Sequence, residues 1–253
     1  MQKMGRDYIN IFIKLSGLVM EDMPLQKKLS GYFSSYLTKF QEHELNFIIG
    51  GGGKVDSLRD RFANEPEKLH EAWRGKGKNR ADVNTIAHWS AIEIMQENAD
   101  ILQDVFPKDA RIRFPKVLNI MKEKLNALPV SWDVTSDSIT YWIANNSGMK
   151  NKVPWIFLLK PVDGVLSTTP GTGIITRRSS CVEGNLVREL NVKEGVPNPT
   201  LKTFPFDVYI FTLVQKYKIP FYIVNFNNPD RIEQIINDTS TSSSIFTKIS
   251  SLD

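Results

Sequence analysis

One cysteine, Cys181, and three histidines, His43, His70 and His88, are all that the 253 residues hold of the two residue types most used in metal and thiol sites. A single thiol excludes an intrachain disulfide framework and suits a reducing compartment. The histidines are far apart in sequence and lack cysteine partners, so no zinc-ligand spacing exists. No stretch approaches the roughly 18 uninterrupted apolar residues of a membrane helix. The amino-terminal MQKMGRDYINIFIKL breaks its apolar run with charged and polar residues and lacks a signal-peptide plan. These absences point to a cytoplasmic protein. Neither sign of charge dominates: 32 Lys and Arg face 28 Asp and Glu, a net charge of +4. That balance permits anionic ligands without arguing for nucleic acid. Internal repeats and long low-complexity linkers are missing too.

What is present is an alternation. Tyr8 to Leu15 reads as a buried strand. Leu25, Leu29, Phe33, Leu37 and Phe40 recur at helical spacing, and Leu45 to Ile49 is a second strand. Val55, Leu58 and Phe62 start a second helix. Residues 64–82 break the pattern and read as a charged surface excursion. Ala87, Ala91, Ile94, Ile101 and Val105 mark a third helix. Val153 to Leu159 is a continuous apolar run, as expected of a central parallel strand covered on both faces. Asp207 to Lys218 reads as helix, Phe221 to Val224 as strand, Asp230 to Ile236 as helix and Ser244 to Ile249 as a last strand. Strands alternating with helices predict an α/β fold with a mostly parallel sheet. The best division falls at Asn145 to Lys152, separating residues 1–150 from 151–253 within one continuous fold.

Parallel sheets bind ligands beyond the carboxyl ends of their strands, and three places there stand out. The first is KLSG: Lys14 closes a buried strand and a turn through Ser16 and Gly17 follows, so a fixed positive charge can face a crevice. Taken alone, a snorkelling strand-end lysine is the plainer reading. The second is Gly50 to Gly53, four glycines between a strand and a helix. Glycine admits positive φ and close backbone approach. The helix start behind it offers free N–H groups and a positive dipole end to an anion. The Walker pattern GxxxxGK[ST] is not met, since Val55 follows Lys54, and the plain alternative is a flexible turn. The third is SWDVTSDSITYWIA. Thr135 or Ser136 caps a helix there and Asp137 falls in its first turn. Asp137 is then either ordinary helix-start chemistry or a carboxylate that fixes Lys14.

In order along the chain, strand-KxxG, strand-GGGG-helix, TSD-helix and LLKPVDGV resemble the amino acid kinase superfamily over roughly Ile9 to Ile249. The resemblance implies a three-layer sandwich around a central, mostly parallel sheet, and a magnesium- and ATP-dependent kinase acting on a small anionic molecule. Lys14 and Asp137 are then the catalytic pair. Ser16, Gly17, Gly50, Gly51, Gly52 and Gly53 hold phosphate; Lys54, Arg59 and Ser136 bind the acceptor; Lys160, Asp163, Gly164 and Val165 belong to the nucleotide side. The superfamily usually dimerises. GGGKVDSLRDRF, AHWSAIEIM and SWDVTSDSITYWIA resemble an archaeal branch containing the kinase that phosphorylates an aminomethyl-furan methyl phosphate in methanofuran synthesis. Branch likeness does not fix the acceptor. The basic residues Lys54 and Arg59 and the stretch Trp73 to Arg80 point to an anionic acceptor, with a phosphate monoester as one candidate.

Some positions depart from the superfamily pattern. Ser16 stands where many relatives have glycine, and Leu166 where a nucleotide-binding tyrosine is expected. A late Gly-Gly-Met-x-x-Lys stretch carrying a second lysine is missing. Lys160, Arg177 and Arg178, or Lys202 without that motif, are the available substitutes. The departure leaves a second reading, a non-catalytic relative that binds nucleotide or an oxyanion for sensing or storage. His88 reads as helix packing in preference to catalysis. Trp73 to Arg80 reads either as a solvated loop or as a lid over an anionic acceptor. Nucleic-acid binding through it is disfavoured, because Trp73 is its one aromatic platform.

Overall fold

The computed structural model describes residues 8–75, 82–124, 127–147, 153–166, 175–176, 186–187, 189–192, 206–207, 209–237 and 246–251. β1 (Ile9–Leu15), β2 (His43–Ile49), β3 (Ile112–Arg113), β4 (Trp155–Lys160) and β9 (Phe221–Asn225) form the parallel part of one eight-stranded sheet. Its strand order is β3-β2-β1-β4-β9-β10-β8-β6, where β6 is Ile175–Thr176, β8 Glu189–Val192 and β10 Thr247–Ser251. β10 runs antiparallel to β9 and parallel to β8, and β6 runs antiparallel to β8. β5 (Val165–Leu166) and β7 (Leu186–Val187) make a separate two-stranded ribbon.

The period-2 alternation of a strand sends neighbours to opposite faces. Ile11, Ile13 and Leu15 of β1, Phe47 of β2, Phe157 and Leu159 of β4 and Val224 of β9 pack beneath α1 (Met23–Lys39) and α8 (Arg231–Ile236). Phe12, Ile48, Ile156, Leu158 and Ile223 face the other way. They meet α5 (Val117–Glu123), α6 (Ser136–Asn145) and α7 (Tyr209–Tyr217). The result is helix, sheet, helix: a three-layer α/β sandwich, with the mostly parallel sheet that the alternation predicts and the layering that the resemblance implies. The division near residue 150 does not divide the sheet, because β4 hydrogen-bonds directly to β1.

α1 illustrates how local chemistry sets an element. Asp22 caps it by accepting from the Leu25 amide at 2.9 Å, and Pro24 occupies its first turn. Leu25, Leu29, Phe33 and Leu37 supply its buried stripe. Phe33 is fully buried and meets Phe47 edge-on at 4.9 Å. Truncating a ring so placed costs about 3–5 kcal/mol.

The reading of 64–82 as a loop-like excursion is corrected over most of its length. α2 (Gly53–Asn64) is followed directly by α3 (Pro66–Gly75), and then by α4 (Val83–Gln103). Leu69 and Trp73, four apart on α3, are buried against Leu58 of α2 and Ile86 of α4. Two apolar residues one helical turn apart are too few to register as periodicity in a charged stretch, yet they suffice once neighbouring helices offer a groove. Residues 76–81, the rest of that basic stretch, lie outside the described residues. No helix among the described residues is long and apolar enough to cross a membrane.

Candidate active site

Lys14 and Phe12 share one face of β1, and Lys160, Leu158 and Ile156 share the same face of β4. Lys14 pairs in register with Leu158, so Lys160 lies two residues further along the neighbouring parallel strand. Both ammonium groups therefore emerge at the carboxyl end of the sheet, under the start of α6. Thr135 caps α6, its hydroxyl accepting from the Asp137 amide at 3.3 Å. That cap places Asp137 in the first helical turn, above the two strand ends.

Asp137 binds both lysines. Lys14 Nζ lies 3.0 Å from Oδ1, and Lys160 Nζ donates to Oδ1 at 2.9 Å and to Oδ2 at 2.7 Å. All three side chains are buried. Lys14 is lowered from its ordinary 10.5 to about 8: burial is the main cause, the neighbouring Lys160 charge adds to it, and the attraction of Asp137 opposes both. Burial alone would raise the Asp137 carboxyl, but the two ammonium groups outweigh it and hold Asp137 below its ordinary value.

The glycine turn lies opposite. Gly52 has φ +59°, where a side chain is strained. A Cβ on Gly17 would come within 2.0 Å of the Gly52 amide nitrogen, and one on Gly52 within 2.6 Å of the Gly17 carbonyl oxygen. The first close approach that these glycines serve is thus between the KLSG turn and the GGGG turn. Gly50 faces Lys14 and Ser136: an added Cβ would meet Lys14 Cε and Ser136 Oγ, both at 3.3 Å. Asn98 of α4 holds the carbonyls of Gly50 and Gly51, at 2.9 and 3.2 Å. The Gly51 and Gly52 amides have no hydrogen-bond partner among the described residues.

These groups border a cavity of about 340 Å³, within the size range of small-molecule sites. One end is polar, with Lys14, Lys160, Ser16, Ser136 and Gly50 to Gly52. The other is walled by Ile92 and Met95 of α4, Trp132, Val134 and Phe206. Arg59 of α2 borders it as well. Its guanidinium lies 5.3 Å from the Trp132 ring centroid and 3.0 Å from Asp56. His88 also faces the cavity, and burial lowers its pKa.

The remaining candidates lie elsewhere. Lys54 is on the exposed side of α2, 3.5 Å from Glu97, and is not part of the cavity wall. The Gly53 amide donates to Glu21 at 3.3 Å. Asp163 pairs with Arg231 and accepts from Asn225 at 3.2 Å, while the Val165 amide donates to Thr247 at 2.9 Å. The DGV turn is thereby pinned to β9, α8 and β10, and Gly164 sits at φ 145°. Arg177, Arg178, Cys181 and Lys202 lie outside the described residues. Asp207, Trp132, Phe206 and Asn98 border or brace the cavity and were not singled out from sequence. Only Asp207, a carboxylate at the start of an apolar helix, carried a signal, and it reads as an ordinary cap.

A sheet-end cavity with two lysines sharing one carboxylate, facing a glycine turn, has the charge and the donors to receive an anion. No family profile matches the chain. It is similar over 95% of its length to the (5-(aminomethyl)furan-3-yl)methyl phosphate kinase of Methanocaldococcus jannaschii, at 26% identity over 259 aligned residues that span 98% of that protein. The chain is thus a distant relative of a kinase that acts on a phosphate monoester.

Proposed function

We propose that this protein is an ATP-dependent kinase of the amino acid kinase superfamily that transfers the γ-phosphoryl group to a small anionic acceptor, itself a phosphate monoester. The observation that carries this reading is the Lys14–Asp137–Lys160 triad opposite Gly50 to Gly52. Phosphoryl transfer spreads negative charge over the equatorial oxygens of the moving group, and catalysis consists mainly of positioning and neutralisation. Two buried ammonium groups and two free backbone amides supply that without a covalent nucleophile. Lys160 answers the missing late lysine: it brings a second cation to Asp137 from the end of β4. This weighs against the non-catalytic sensing or storage alternative.

Residues 1–150 hold the acceptor and the moving group, and residues 151–253 hold the nucleotide. Arg59 grips the acceptor's phosphate, and Trp132, Met95, Ile92 and Phe206 take its carbon skeleton. Magnesium fits this site as an ion carried by the nucleotide's phosphate oxygens and water. Among the described residues no three metal-ligating side chains converge, and the three carboxylates at the cavity, Asp56, Asp137 and Asp207, already receive hydrogen bonds from the protein. A cytoplasmic homodimer is the expected assembly.

The test is ATP consumption against a panel of phosphate monoesters of small cyclic and acyclic alcohols, with ATP binding measured in parallel by thermal shift. Turnover that yields ADP and a diphosphate ester supports the proposal. ATP binding without turnover of any acceptor moves the assignment to the sensing or storage reading.

A further inference from the structure

One charged group at the cavity has no part in the scheme above. Asp207 is almost wholly buried, at 1% exposure, just ahead of α7. Its Oδ2 accepts from the Thr135 amide at 2.9 Å, the Thr135 hydroxyl at 2.7 Å and the Ser138 amide at 3.0 Å. Its Oδ1 accepts from the Ser138 hydroxyl and from the Ile210 amide at 3.0 Å. Three of these partners are backbone amides, which can only donate, so both carboxyl oxygens serve as acceptors.

A helix cap serves one helix. Asp207 serves two, the start of α6 and the start of α7, so the positive ends of both helices converge on one anion. The α6 contacts fall on residues 135 and 138, which flank Ser136 and Asp137. The Thr135 hydroxyl gives its hydrogen to Asp207 and accepts the Asp137 amide with a lone pair. Asp207 therefore fixes that hydroxyl's orientation, and through it the backbone of the residue that holds the two lysines.

We propose that Asp207 is a positioning residue: by tying the first turns of α6 and α7 together it sets where Asp137 holds Lys14 and Lys160. The role rests on the kinase reading only for its effect on rate; the tether itself is a property of the fold. The arrangement carries an electrostatic cost. Burial and the nearby Asp137 charge both push the Asp207 carboxyl up, and its hydrogen bonds to Ser138 and Thr135 oppose that. A plain structural cap would serve better at a greater distance from a second buried carboxylate.

Asp207→Asn keeps the shape but turns an NH₂ group toward donors, which loosens residues 135–138. Ser138→Ala removes one donor while keeping the Asp207 charge, and it carries the test if the first variant fails to fold. The activity-independent readout is the Lys14 ammonium titration, followed by lysine side-chain NMR on the full chain. The wild-type midpoint is expected near 8. Loosening Asp137 removes the chief influence raising it, so the midpoint falls by about one pH unit in Asp207→Asn and by less in Ser138→Ala. In the kinase assay kcat falls about tenfold or more in Asp207→Asn, with ATP and acceptor KM little changed. A lower melting temperature with an unmoved Lys14 midpoint in both variants overturns the proposal and leaves Asp207 a cap. A midpoint that moves in Asp207→Asn but not in Ser138→Ala also overturns it, since charge alone would then explain the shift. If wild-type protein turns over no acceptor, the kinase reading fails, while the NMR midpoints still decide the tether.

Discussion

Replacing Asp137 by asparagine leaves two buried ammonium groups on one neutral amide. Lys14 already titrates near 8 with Asp137 in place. The drop from 10.5 corresponds to about 3 kcal/mol of net penalty on its charged form, at about 1.36 kcal/mol per pH unit. Without the carboxylate, the influence that raises Lys14 is lost and the Lys160 charge remains. Lys14 is then largely neutral at pH 7.5. Losing one well-aimed donor of this kind costs roughly 3–4 kcal/mol in the transition state, a rate loss of about 10²–10³. Two further consequences separate this account from a helix-start role. Activity of Asp137→Asn recovers partly as pH is lowered toward 6, because Lys14 regains its proton. Adding Lys160→Met relieves the like-charge repulsion, so the double variant at neutral pH is less impaired than the sum of the two single losses. The assay is coupled ATP consumption from pH 6 to 9, with melting temperature recorded on the same three variants. A helix-start role for Asp137 predicts a stability loss of at most about 1 kcal/mol and unchanged kcat. Unchanged kcat, or a pH profile that does not move, refutes the charge argument.

The wild-type pH profile should show kcat/KM falling as pH rises through about 8, where free Lys14 loses its proton. Between about 8 and 10.5 the unfolded chain binds the Lys14 proton and the folded chain does not, so this group's contribution to stability rises with pH over that window. Activity and melting temperature should part company there, and a parallel fall of both would point to unfolding instead. Gly52→Val should abolish turnover, because it forces a β-branched residue into positive φ against the Gly17 carbonyl; near-normal kinetics would remove the glycine turn from the site. Arg59→Lys should raise the acceptor KM far more than the ATP KM, since a lysine keeps the charge but loses the planar fork; an equal rise in both contradicts acceptor binding. Trp73→Ala should destabilise the fold by about 3–5 kcal/mol, the cost of emptying a buried aromatic site; a loss under 1 kcal/mol in urea unfolding would mean that α3 packs only loosely.

The positions of β1, β2, β4, β9 and β10 and the mostly parallel sheet were legible in the sequence, because each depends on local pattern, while the short strands β3 and β5 to β8 were not. Continuous apolar runs mark buried strands, glycines mark turns that no Cβ could occupy, and a lysine at the end of such a run must sit at the edge of the core. Lys14 and the glycine turn could be marked on those grounds, whereas Asp137 stood out only through the resemblance of its TSD helix start. α3 was missed because Leu69 and Trp73 become a core only when α2 and α4 close around them. That Lys160 shares Asp137 with Lys14 is a consequence of β4 lying beside β1, in a register that offsets the two lysines by two residues. Sequence distance hides this, since the two lysines are 146 positions apart in the chain. Asp207 was hidden for the same reason: a cap is a local feature, but a carboxylate that caps two helices exists only once α6 and α7 are packed side by side. Local chemistry chose the elements, and the strand order chose which of their ends would meet.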